Sequence, residues 1–321
     1  ASPDLWRAAT YLGQMYIIEQ HSKRISSGPG VAFSALMPDM DAFKGSEGGR
    51  VLPVFHPDGR PTATPQMRAA IGAALGFDEP VSGEDVAAYV AAVVAHPGYT
   101  ARFVEQLETP GIRVPVTASV ELWREAVGIG RTVIWLHTYG ERFTDSTHLR
   151  GAVEASGAAR VLNLDGIPAT EASMPATITH SSDTKSRRAE GDSDDTLYVG
   201  DARFRPVPAS VWGYTVGGRS VLKSWFDYRR PEPAGKRTSP LDDVNTKRWS
   251  RSDTEETVRL LGLLQRLVDI EPLQADLVAR VVAGGLISVD ALTEANALPV
   301  RPADRTLTDK GPTMSFPRVL D

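Results

Sequence analysis

The chain contains no cysteine. That absence removes disulfides, thiolate zinc sites, iron–sulfur clusters and a cysteine nucleophile together. Nowhere do eighteen apolar residues run consecutively, so no membrane-spanning helix is expected. The opening residues, ASPDLWRAATYLGQMYIIEQ, lack the continuous apolar stretch of a secretory signal. They also lack an initiator methionine, and the expectation is a fragment of a longer, cytoplasmic chain. Several catalytic signatures are missing too. There is no Gly-Lys-Ser/Thr phosphate loop, and Gly28-Pro-Gly30 and Gly217-Gly218 are too short for a dinucleotide fingerprint. No Asn/Asp-Pro-Pro-Tyr methyltransferase motif, Gly-x-Ser-x-Gly elbow or His-Glu-x-x-His helix occurs.

What remains is ordinary globular composition: 321 residues, 41% hydrophobic and 23% charged. That is enough for about two domains at ~150 residues each. A formal net charge of -5 and an isoelectric point near 5.8 argue against a pure backbone-neutralising DNA binder. A local basic surface stays possible.

Val31–Leu36 and Val51–Phe55 read as strands. Gln66–Leu75 reads as a short helix. Ser82 starts another as a cap, with Asp85 at the third helical position, and that helix ends at His96-Pro97. Helices are also expected over Tyr99–Leu107 and Val120–Leu136. The second carries Leu122, Trp123, Ala126, Val127, Val133, Ile134 and Leu136 on its apolar side. Between Phe143 and Asp195 periodicity fades. Thr196–Val199 and Ala202–Val207 then read as a hairpin around Gly200-Asp201. A helix bearing Val221, Leu222, Trp225 and Phe226 follows, then a Pro/Gly-rich loop over Arg229–Pro240. Thr254–Val282 is strongly helical, with Pro272 as the expected break. The fold class is α+β: mixed strands with a helical cluster, a small second sheet and a C-terminal helical hairpin. The expected divisions are a strand-plus-helix part (1–150), a flexible loop or linker (151–195), a small sheet with basic helix-loop and helical hairpin (196–300), and an extended tail (301–321).

No two of the six histidines have the i, i+4 spacing that puts two metal ligands on one helix face. His137 reads either as a general base near Tyr139 or Glu141, or as a structural histidine favoured by the helix dipole. Asp242-Asp243 reads as a metal candidate or as a turn and cap. The positive signal is charge segregation. From Arg219 to Arg251 nine basic residues face four acidic ones. This local charge of +5 leaves -10 for the rest of the chain. Candidate DNA contacts are Arg219, Lys223, Arg229, Arg230, Lys236, Arg237, Lys247 and Arg248, with a second cluster at Lys185, Arg187 and Arg188. Arg219 and Lys223 are expected on one helix face. Trp225, Phe226, Tyr228 and Trp249 interleave, either as core or as partners of the cations.

Four segments together carry a family resemblance. They are Tyr89–Phe103 with Leu107 and Gly111–Val116; Gly130–Phe143; Val211–Arg229 continuing to Ser239–Asp243; and Gly49–Pro53. Their order and spacing, from roughly Phe33 to Val282, resemble the C-terminal specificity region of type ISP restriction–modification enzymes. The resemblance implies a target-recognition region directing a fused adenine-N6 methyltransferase and nuclease/translocase to a specific sequence in double-stranded DNA. It implies no catalysis by this chain, and assigns S-adenosylmethionine, ATP and Mg to the other modules. It supplies no base-reading residues, so the candidate contacts rest on charge and loop position. Two rivals are a stand-alone hydrolase using His137 and Asp242/Asp243, and a protein–protein adaptor derived from such a domain.

Overall fold

Strand β1 (Tyr16–Gln20) lies at the centre of an antiparallel three-stranded sheet, between β2 (Val31–Ser34) and β3 (Gly49–Pro53). A short helix α1 (Pro3–Ala8) precedes it. The computed structural model describes residues 3–21, 25, 27–38, 49–143, 160–163, 172–183, 195–200, 202–229 and 248–307. Glu19, buried in β1, is held by the Arg50 guanidinium at 2.8 Å through Nε and by the Ile112 amide at 2.7 Å. A buried carboxylate is tolerable only when paired and hydrogen-bonded in this way.

The helical body follows. Helix α2 spans Pro65–Ala74, α3 Gly83–Val94, α4 Pro97–Arg102 and α5 Val120–His137. Ser82 caps α3 as expected, accepting from the Asp85 amide at 2.9 Å. The Asp85 carboxylate goes to Arg131 on α5 at 2.8 Å. Helices α3 and α5 approach closely because position 130 is glycine: a Cβ there would stand 1.7 Å from the Ala88 carbonyl oxygen. Tyr89 stacks on Trp123 at 4.5 Å, donates to the Pro115 carbonyl at 2.8 Å and accepts from the Thr117 amide at 2.9 Å. This fastens the extended Gly111–Val116 segment to the helices.

A second sheet is antiparallel, in the order β4 (Arg160–Asn163), β8 (Ala202–Arg205), β7 (Leu197–Val199), β6 (Ile178–His180). The β7–β8 pair is the expected hairpin. Strand β5 (Ala172–Ser173) pairs with β11 (Arg248–Trp249). Helix α6 (Ala209–Trp212) leads to a tight hairpin of β9 (Thr215–Val216) and β10 (Arg219–Ser220). Gly217 and Gly218, with φ of 56° and 74°, make the turn; two successive left-handed residues are what a two-residue hairpin of this hand requires. Helix α7 (Val221–Asp227) starts immediately after it.

One long helix, α8 (Arg251–Ala283), corrects the expectation of a break at Pro272 and of a C-terminal helical hairpin. An interior proline costs about 3 kcal/mol. On either side of it α8 buries Leu260, Leu261, Leu263, Leu264, Leu267, Leu277, Val278 and Val281. At about 2 kcal/mol for each buried side chain, packing outweighs the proline. Gln274, also buried, donates to the Ala91 and Ala92 carbonyls of α3 at 3.2 and 3.1 Å. Ser250 and Asp253 form a full capping box at the start of α8. A short helix α9 (Val289–Glu294) and a single 3-10 turn (Pro302–Arg305) follow, and the architecture is α+β. The main buried cluster runs from Met15 to Val281, drawing on the first sheet, the helical body and the second sheet, and a small second one joins Leu5, Ala8 and Tyr16.

Candidate nucleic-acid interface

The basic segment begins at the β9–β10 hairpin. Arg219 lies in β10, half-buried, with no carboxylate partner among the described residues. Ser220 caps α7, accepting from the Lys223 amide at 3.3 Å. Arg219 therefore precedes the helix, which corrects the expectation that it shares a helix face with Lys223. Lys223 is exposed, and its ammonium sits 4.6 Å above the Trp212 ring. A cation over an indole face is held electrostatically while its remaining sides stay open to solvent.

Trp212 is itself fixed. Its Nε1 donates to Asp183 Oδ1 at 3.0 Å, and its other support is the His180 ring, stacked at 5.9 Å and 18°. His180 is wholly buried: Nδ1 accepts from the Ser182 amide at 3.0 Å and Nε2 donates to the Val207 carbonyl at 2.7 Å. These partners dictate the tautomer. The chain of contacts runs from the second sheet through α6 to the cation on α7.

Arg229 follows α7 and is built differently. Its guanidinium lies 4.0 Å from the Trp225 ring centre, donates to the Trp225 carbonyl at 3.1 Å and pairs with Glu256 of α8 at 2.6 Å. Arg248 is exposed on β11. The other candidates, Arg230, Lys236, Arg237, Lys247, Lys185, Arg187 and Arg188, lie outside the described residues, as do Asp242 and Asp243. Of the interleaved aromatics, Phe226 and Trp249 belong to the core, Trp225 is partly buried and Tyr228 is 69% exposed. Trp212 and Glu256 do not stand out in the sequence, since they meet their cations 11 and 27 residues away along the chain.

His137 is committed to structure. Its Nδ1 accepts from the Phe33 amide at 3.2 Å, and desolvation lowers its pKa to about 4. It is neutral at pH 7, so the helix dipole is not what favours it; the bond to β2 is. No group of three or more His, Asp or Glu among the described residues is placed to hold a metal ion. No helix among them is long and apolar enough to cross a membrane.

Fold and surface together define an α+β domain that presents cations on aromatic supports around a continuous core. The model of the Type ISP C-terminal specificity domain family matches residues 1–262. This chain belongs to that family. No curated protein matches it. Among solved structures it is similar to one titled "cryoEM structure DrdV-DNA complex", with 18% identity and a TM-score of 0.49 over 85% of this chain and 25% of that one. It is also similar to a nuclease-deletion mutant of the Type ISP restriction–modification enzyme LlaGI in complex with a DNA substrate mimic (15% identity, TM-score 0.46, 87% of this chain and 22% of that one). A third is the ATP-dependent Type ISP enzyme LlaBIII bound to DNA (13%, 0.48, 85% and 16%). The chain spans a quarter or less of the length of these proteins.

Proposed function

We propose that this chain is the DNA target-recognition part of a Type ISP restriction–modification polypeptide. In this reading it directs adenine-N6 methyltransferase, translocase and nuclease modules of the same cytoplasmic polypeptide to a specific sequence in double-stranded DNA. The observation that carries the reading is the match of residues 1–262 to the family's specificity domain. The chain itself does no chemistry here; S-adenosylmethionine, ATP and Mg belong to the other modules.

The geometry favours a division of labour among the candidate contacts. Lys223, exposed and held over Trp212, is suited to a phosphate. Arg219, four residues before it, has no carboxylate partner among the described residues and is able to make a bidentate contact to phosphate or to guanine. Arg229 reaches DNA only by exchanging Glu256 for a phosphate. The cations from Arg230 to Arg248, together with Lys185, Arg187 and Arg188, would add base-edge and backbone contacts. Replacing Arg229, Arg230, Lys236 and Arg237 by alanine together should weaken duplex binding and flatten its dependence on salt by up to about four counterions. Binding and slope that stay at parental values would remove that loop from the interface.

A further inference from the structure

We infer a second DNA contact along the groove between α5 and α8, where the phosphodiester backbone lies on arginines supported by aromatic rings. The inference rests on the DNA-reading proposal and adds a surface that the basic segment from Arg219 to Arg251 does not contain.

The two helices run antiparallel. Arg280 bonds Glu125 near one end, and Arg266 covers Trp135 near the other. At that second end they enclose a groove of about 510 Å³, lined by Arg131, Trp135, Phe143, Arg266 and Asp269 among others. The Arg131 guanidinium lies 5.1 Å from the Phe143 ring centre, and that of Arg266 lies 5.4 Å from the Trp135 ring centre. A guanidinium laid on a ring keeps its N–H edge pointing outward, in the plane that suits a phosphate. Arg259 is exposed and stands two turns before Arg266 on the same face of α8, near Tyr139 and just beyond the residues that line the groove. Seven residues of helix place the two Cα atoms about 10.5 Å apart. That is about three base pairs of rise along the axis of a DNA duplex.

Two of the acids nearby are paired with cations: Glu256 holds Arg229 at 2.6 Å and Asp85 holds Arg131 at 2.8 Å. Asp269, in the groove wall, accepts from the neutral Gln265 amide at 2.8 Å and keeps its charge, one carboxylate against the cations of Arg259 and Arg266. Arg259 and Arg266 have no carboxylate partner among the described residues. The turn that carries Phe143 is strained. Tyr139 and Phe143 both have positive φ, 53° and 55°, a region that side-chain-bearing residues seldom adopt. The turn is held there from outside: Arg142 donates to the Gln14 and Leu12 carbonyls, each at 3.0 Å, and its amide bonds Thr138 Oγ1 at 3.2 Å. Strain maintained by over-determined contacts is a mark of a working surface.

The test compares the parent chain with Arg259→Gln/Arg266→Gln, and with Arg259→Gln alone, on a fluorescent duplex between 50 and 200 mM salt. Thermal melts confirm that the folds match, and the single variant serves if the pair unfolds. The expected result is a salt slope shallower by about two for the pair and about one for the single variant. The pair therefore loses roughly a tenfold share of the parent's affinity drop over that range, to the same degree on any sequence. A parental slope in a variant of parental stability overturns the groove while leaving the basic segment in place. Loss of affinity for a polyglutamate probe with DNA binding intact also overturns it, reassigning the groove to an acidic protein segment. A parent chain with no salt-dependent DNA binding overturns the inference and the reading beneath it together.

Discussion

The α3–α5–α8 body and the α6–α7 layer use their buried polar groups to opposite ends. In the body, polar atoms face inward and stay neutral. His96 is fully buried, its Nε2 donates to the Val93 carbonyl at 3.1 Å, and desolvation lowers its pKa to about 4. Gln274 and Tyr89 likewise satisfy backbone groups between elements. In the α6–α7 layer, buried polar groups end on a cation at the surface: His180 and Asp183 fix Trp212, and Trp212 carries Lys223. Charge is kept out of the interior of the first region and is presented at the surface by the second. Substitutions of buried residues in the body should therefore register in stability, and substitutions of exposed cations, in the layer or on the α5–α8 surface, should register in binding.

The largest effect is expected where α3 meets α5. Gly130→Val places side-chain atoms against the Ala88 carbonyl, and should cost about 3 kcal/mol or more in urea unfolding, or abolish folding. Parental stability in that variant would break the picture of a body packed on that approach.

A middle-sized effect is expected on acidification. His96 has a folded pKa of about 4 against 6.5 for an unperturbed histidine, so its neutral form belongs to the folded state. The stability linked to it is complete above about pH 6.5 and is lost as pH falls toward 4, on the order of 3 kcal/mol. His137 works in the same direction. Glu271 on α8 works in the opposite one. Burial raises its pKa to about 7, so its contribution is complete below about pH 4.5 and fades as pH rises through 7. Unfolding free energies of the parent, His96→Gln and Glu271→Gln between pH 4.5 and 8 should show the first variant flattening the acid limb and the second the alkaline limb. Superimposable profiles would contradict the burial assigned to both groups.

The smallest effect on stability should come from Lys223→Gln: within about 0.5 kcal/mol of the parent, because the side chain is exposed. The same variant should lose about one unit of salt slope in duplex binding. A large loss of stability would erase the contrast between layer and body.

Periodic and capped elements were legible in the sequence. Helices α3 and α5 announced themselves through Ser82, through apolar spacing and through the His96-Pro97 stop. The β7–β8 hairpin did so through Gly200-Asp201. Strand β1 was not legible, because it is buried on almost every residue and its polar Glu19 is satisfied by Arg50 and Ile112 from elsewhere. Pro272 misled for a related reason, since the packing that overrides it is tertiary. At the candidate interface the basic run was visible as charge. Its supports were not. Trp212 under Lys223, Glu256 on Arg229 and Trp135 under Arg266 join positions 11, 27 and 131 residues apart, none of them at a spacing that a local pattern reveals.

The central claim is that this chain reads sequence, and selection from a random duplex pool tests it most directly. The purified chain is mixed with duplexes carrying a randomised central segment, bound molecules are recovered at about 150 mM salt, and the recovered pool is sequenced. The account predicts enrichment of one defined sequence, with single mismatches each costing about 1–3 kcal/mol. Recovery of duplexes with no sequence in common would contradict it.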